Sequence, residues 1–232
     1  MSDAFMVALE CNDLAVLREV IDTGAITDVN TVTDTNGRSL WCYVREIAMT
    51  EFLLLECKAD VTACDARSET PLFHAVCSGI VCIVALLLDN GADVNVRGGE
   101  HDRTPLHYAP TAAVARLLIG RGAIVYILDK FQRTSLFLAV RCCHADTAQE
   151  LIENGADVHT VDVDGQTGLF EATMTTNDMS ALEMLIKHDA DVRVAHDGGA
   201  SKAEAELTRA VDSSSSLQPP PATDVEEALT VT

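Results

Sequence analysis

The chain has 232 residues, 48% of them hydrophobic and 22% charged, a balance that excludes a chain disordered throughout. Asp and Glu number 36 against 16 Lys and Arg, for a formal charge of -20 at pH 7; so acidic a surface repels phosphate and disfavours nucleic acid and anionic lipid as partners. One Trp and 4% aromatics leave the core to Leu, Ile, Val and Ala, which points to stacked helices rather than a β-sandwich. The opening Met1-Ser2-Asp3-Ala4-Phe5 has neither a basic nor an apolar leader stretch, and the longest apolar run, residues 80–88, is too short to span a bilayer. The cytosol is therefore the expected compartment, with the nucleus open. The eight cysteines, at 11, 42, 57, 64, 77, 82, 142 and 143, form no C-x-x-C pair or zinc-ribbon spacing. They read as reduced and mostly buried small hydrophobes.

Taken in chain order, the pattern repeats. Residues 3–25 are helical in pattern and end at Gly24-Ala25, and residues 26–38 form a long connection. Ser39-Leu40-Trp41-Cys42 opens the next copy, which ends at Lys58-Ala59-Asp60-Val61. Thr70-Pro71-Leu72-Phe73 opens a third, whose second half is the Leu-rich stretch 84–88, closed by Gly91-Ala92-Asp93-Val94. Thr104-Pro105-Leu106-His107, Thr134-Ser135-Leu136-Phe137 and Thr167-Gly168-Leu169-Phe170 open the remaining copies. These end at Gly122-Ala123, Gly155-Ala156 and Asp189-Ala190. The closing alanines 59, 92, 123, 156 and 190 are 33, 31, 33 and 34 residues apart. A fixed period with two markers in step signals a repeat architecture.

This pattern resembles the ankyrin repeat, with its 33-residue period and T-P-L-H-x-A signature. The resemblance implies an all-α solenoid of stacked helix-turn-helix pairs joined by short β-hairpins, over residues 1–197. The copies are expected at about 1–28, 34–63, 65–97, 99–128, 129–161 and 162–195. Thr70, Thr104, Thr134 and Thr167 stand as helix N-caps, with Pro71 and Pro105 at the first helical position. Leu72 and Leu106 belong to the same structural motif. In the family the marker histidine ties turns together; only His107 keeps it, and Phe73, Phe137 and Phe170 replace it. Gly24, Gly91, Gly122 and Gly155 are read as left-handed caps of second helices, a place taken by Lys58 and Asp189 in two copies. Asp34, Asp65, Asp129 and Asp162 stand five residues before a cap, where the turn wants a short polar side chain. Thr104 to Gly122 is 18 residues, against 21 for Thr70 to Gly91 and for Thr134 to Gly155. The loss falls at 109–111 and predicts a clipped first helix. A short capping helix is expected at 198–212, and a disordered Ser/Pro-rich tail at 213–232.

Chemistry is sparse. Cys142-Cys143-His144 is the one nucleophile-and-base neighbourhood, but adjacent helical residues point apart. A packed thiol at a repeat junction is the plainer reading, and a redox sensor or enzyme using Cys142 or Cys143 the rival one. The seven histidines form no metal-binding spacing, and no phosphate-binding glycine loop occurs. No catalytic residue, cofactor or metal is expected. One charge feature stands out: residues 97–141 hold seven basic residues (Arg97, Arg103, Arg116, Arg121, Lys130, Arg133, Arg141) and three acids, in an otherwise strongly acidic chain. Ankyrin stacks bind partners with hairpins and the concave first-helix face, so the resemblance implies a monomeric protein–protein interaction module, either a scaffold, adaptor or regulatory subunit or a segment acting with an effector on another chain. Arg103, Lys130, Arg133 and Arg141 are candidate charges for an acidic or phosphorylated peptide. Phe131 is a candidate anchor on an exposed tip, with Tyr43, His74, Tyr108 and Leu138 along the concave face.

Overall fold

The computed structural model describes residues 2–24, 26, 28–34, 37–175, 180–188 and 190. The expected capping helix at 198–212, the tail at 213–232 and Asp189 lie outside the described residues. Helix α1 (Ser2–Glu10) packs on α2 (Leu14–Asp22), the turn Leu40–Cys42 leads to α3 (Ile47–Glu51), and α4 (Pro71–Ser78) packs on α5 (Val81–Asp89). The turn Pro105–Tyr108 packs on α6 (Ala112–Gly120), α7 (Ser135–Arg141) on α8 (Ala145–Glu153) and α9 (Gly168–Thr175) on α10 (Ser180–Lys187). From the turn Leu40–Cys42 to α9 the first members of the pairs touch one another along one row, and α3, α5, α6, α8 and α10 touch along a second. Each pair thus buries its apolar face only against its neighbours, which defines a solenoid. Among the described residues there is no strand, and the connections carry isolated antiparallel bridges, Thr33 to Ser39, Gly98 to Arg103 and Val161 to Thr167.

The repeat markers become a core. Leu40, Leu72, Leu106, Leu136 and Leu169 are all buried in the first row, and Leu53, Leu87, Leu118, Leu151 and Leu185 in the second. The carbonyls of Leu87, Leu118, Leu151 and Leu185 accept from the amides of Ala92, Ala123, Ala156 and Ala190 at 2.9 to 3.1 Å. This bond closes a left-handed helix end, and Gly91, Gly122 and Gly155 hold that conformation at φ of +87 to +91°. Lys58 adopts it too, at φ +53°. There the closing bond runs from Ala59 to Leu53, one residue longer, because a π-helical turn at Phe52–Glu56 absorbs an extra residue. The fourth pair has the clipped first helix: a single 3-10 turn of four residues, against eight in α4 and seven in α7.

Caps follow the sequence with one correction. Thr134 and Thr167 Oγ1 accept from the amides of Phe137 and Phe170 at 3.3 and 3.2 Å. Thr70 is buried in the same backbone position, yet its hydroxyl makes no cap bond and has no partner. In the hairpins, Oδ1 of Asp65, Asp129 and Asp162 each accepts two amides, two and four residues ahead, at 2.8 to 3.0 Å. Only a short carboxylate reaches both. The hairpin at 98–103 instead uses Gly98-Gly99 and one more residue. A Cβ on Gly98 would sit 2.1 Å from the carbonyl oxygen of Ser68, so glycine there is a demand of hairpin-on-hairpin packing.

Candidate partner-binding surface

The hairpins stand side by side, joined by amides that donate across them: Ala66 to Gly37 at 3.3 Å, Lys130 to His101 at 3.0 Å and Val163 to Phe131 at 2.9 Å. On this frame the basic residues are not free. Arg103 Nε donates to Asp129 of the next hairpin at 3.0 Å, and its side chain is only 14% exposed. Arg133 lies 3.4 Å from Asp162 of the hairpin after that and is 16% exposed. Burial alone would raise the Asp129 carboxyl, but the amides of Arg133 and Phe131 and the Arg103 guanidinium hold it below the usual carboxylate range. Arg97 spans Asp102 and the carbonyl of Leu128, Arg116 meets Glu150, Arg121 meets Asp89 and Arg141 meets Glu171. All six arginines of the basic stretch therefore face a carboxylate. Lys130 is exposed, with its ammonium on the carbonyl of Glu100.

Phe131 is half-buried rather than exposed. Its ring meets His101 edge-on at 5.3 Å, with Arg133 and Lys130 over its face at 4.8 and 5.2 Å. The sequence alone predicts an exposed tip. It is packed because the neighbouring hairpin supplies His101, a contact between residues 30 apart in sequence.

The concave-face residues also divide. Tyr43 donates to Asp34 at 2.8 Å and accepts from Arg38 at 2.9 Å, tying its own hairpin down. Tyr108 is half-buried, edge-on to Phe73 and beneath Arg103. Leu138, expected on the surface, is buried in α7 at 5% exposure, because both α8 and α9 cover that helix.

What the sequence reading missed is apolar. Tyr126 is 73% exposed and Val163 50%, with Leu128 and Val161 also in solvent. Leu128 and Val161 hold the same place, just before the turn Asp, on consecutive hairpins. The signal was present: equivalent positions in earlier copies carry Thr33, Cys64 and Arg97. An edge that is polar in three hairpins and apolar in two marks a surface rather than a core requirement.

The cysteines are corrected as well. Six of the eight are exposed, Cys142 and Cys143 among them, and only Cys42 and Cys57 are partly covered. Cys143 sits at φ +60°, in the place that Gly79 holds at φ +73° after α4. No hydrogen bond joins it to His144 among the described residues. The thiol that does meet a histidine is Cys42, 3.3 Å from Nδ1 of His74. Burial, then the Asp65 carboxylate, pushes the Cys42 thiol up to about 11, so it is not a ready nucleophile. Cys42, Asp65 and His74 bring ligand atoms within 4.8 Å of one another, a grouping that their sequence spacing does not show.

The family model of ankyrin repeats in three copies matches residues 41–123 and 110–196. Among relatives, the transient receptor potential channel pyrexia of Drosophila melanogaster is 31% identical over 67% of the chain. The palmitoyltransferase AKR1 of Kluyveromyces lactis is 30% identical over 58%, and the neurogenic locus notch homolog protein 1 of Xenopus laevis 34% over 55%. The matched segments span 17%, 19% and 5% of those three proteins. No helix among the described residues is long and apolar enough to cross a membrane. With the stacked pairs, the recurring caps and a family match over more than half of its length, the chain belongs to the ankyrin-repeat family, whose repeats generally mediate protein–protein interaction and are typically non-enzymatic.

Proposed function

We propose that this chain is a non-enzymatic recognition module that docks a partner protein along the hairpin edge formed by Tyr126, Leu128, Val161 and Val163, with Phe131 beside it and Lys130 at its rim. The exposed apolar residues on two consecutive hairpins carry this reading. A solvated tyrosine with aliphatics on adjoining hairpins suits a contact centre, and Tyr is favoured in such places. Because the arginines are already matched by carboxylates, apolar complementarity supplies the affinity, while Lys130 and the outer side of Arg141 favour an acidic or phosphorylated flank on the partner. Six exposed thiols suit the reducing cytosol or nucleus. The partner, its pathway and the effector, whether on this chain or another, follow from capture.

A photo-crosslinking residue placed at position 163 should trap one partner protein. Tyr126→Asp with Val163→Asp should abolish that capture and leave the melting temperature unchanged, since both side chains already face solvent. Capture equal to that of the parent would remove this edge as the interface. Loss on treating the partner with phosphatase would place the phosphate, rather than the apolar contact, at the centre.

A further inference from the structure

The hairpin carboxylates are not equivalent. Oδ2 of Asp129 and of Asp162 each receives an arginine from the preceding hairpin, Arg103 and Arg133. Asp65 should receive Arg38 in the same register. Arg38 instead turns back, donating to Asp34 at 2.7 Å and to Tyr43 at 2.9 Å. The Asp65 side chain is wholly buried, its Oδ1 holds two hairpin amides, and its Oδ2 makes no well-aligned hydrogen bond, with only the His74 ring within ion-pair distance. A buried carboxylate oxygen that lacks the arginine its counterparts receive is costly. Two further ligand types converge on it: Nε2 of His74 lies 3.3 Å from Oδ2 and 3.7 Å from Sγ of Cys42.

Those two separations are near the edges that a tetrahedral ion would set, and all three ligand atoms lie within 4.8 Å of one another. A tetrahedral zinc ion, with bonds of about 2.3 Å to sulfur and about 2.0 Å to nitrogen and oxygen, sets N–O and S–N edges of roughly 3.3 and 3.5 Å. We propose that Cys42, Asp65 and His74 form a divalent-metal site for zinc. Thiolate, imidazole and carboxylate together suit zinc over magnesium or calcium, which prefer oxygen alone. On binding, the Cys42 S–H bond breaks, its proton passes to solvent and the sulfur pair forms the S–Zn bond, so one proton leaves per ion bound. Three protein ligands leave a fourth position for a water molecule. The ligands come from the turn Leu40–Cys42, the following hairpin and α4, so the ion would clamp the degenerate second copy to the third, where the arginine rung is missing. This inference is independent of the proposed docking edge.

The test uses the full chain, reduced and stripped of metal. One equivalent of Co(II) should give the strong visible bands of four-coordinate cobalt with a thiolate-to-metal charge-transfer band, and Zn(II) should displace both. Cys42→Ser should lose the charge-transfer band and weaken Zn(II) by more than the roughly 10- to 100-fold that outer partners cost. His74→Gln should weaken it comparably. Cys142→Ser with Cys143→Ser, which removes the exposed vicinal pair, should change neither spectrum nor affinity. The proposal is overturned if the parent chain shows no thiolate–cobalt band at one equivalent, if Cys42→Ser keeps it, or if the vicinal double variant loses it. Should Cys42→Ser fail to fold, as judged by circular dichroism, the parent titration and the vicinal control still decide.

Discussion

Nε2 of His107 lies 3.1 Å from the carbonyl oxygen of Arg133, one repeat further along the stack. On its other side Nδ1 accepts from the amide of Thr104 at 3.2 Å, with the Thr104 hydroxyl at 2.8 Å. The ring therefore carries its proton on Nε2 and is neutral, one N–H joining two repeats and one lone pair closing its own turn.

Burial lowers the His107 pKa from 6.5 to about 4, against the pull of the Arg133 carbonyl and the nearby Asp129, and with a smaller push from Arg103 and Arg97. A histidine held neutral in the fold binds its proton first when unfolded. Stability from this group is full above about pH 6.5, falls as pH drops towards 4, and levels off below that, a loss on the order of 3 kcal/mol. Urea midpoints from pH 7.5 to 4.5 should show the slope, and His107→Phe, the residue that three other copies use, should flatten it. Equal slopes in the two proteins would mean that other groups govern acid sensitivity.

Arg133 and Asp162 make a second test. Arg133→Glu sets a carboxylate beside one that is 1% exposed and strips the cation from the Phe131 and Phe137 rings. The expected cost is roughly 2–4 kcal/mol. Arg133→Met keeps the stem over those rings and should cost less. A melting temperature unchanged in both would return Arg133 to the pool of free surface charges.

Lys58 is exposed at φ +53° in a place where glycine stands in four other copies. A side chain in the left-handed region costs about 1 kcal/mol, partly offset by the greater freedom of unfolded glycine. Lys58→Gly should raise the urea midpoint by somewhat less than that amount. A lower midpoint would show that the π-helical turn before it needs the lysine.

Gly98 and Gly120 should respond in opposite directions to alanine. Gly98→Ala drives a methyl into the Ser68 carbonyl, and separating the two hairpins should cost more than about 2 kcal/mol. Gly120 ends α6 with open space around it, so Gly120→Ala should gain about 0.5–1 kcal/mol. Calorimetric melts of the pair check both signs at once.

The repeat itself was legible because it is set locally. The left-handed cap after a helix, the proline at its first position, the Asp that holds two amides of a turn and the three residues lost before α6 all act within a few residues of chain, so each leaves its mark in composition and spacing. The surface was not. Whether Arg38 reaches Asp65 or turns back to Asp34, whether Phe131 stands free or leans on His101, and whether Cys42 meets His74 depend on residues 27, 30 and 32 positions apart. Those separations are about one repeat, and only the stacking of copies brings them within ångströms. Sequence determined where the hairpin turns, the left-handed helix ends and the leucines of the repeat marker fall. The stacked hairpins decided which charges are matched, which carboxylate is left without an arginine and which apolar side chains remain in water, because ion pairing and burial depend on distances that no single repeat contains.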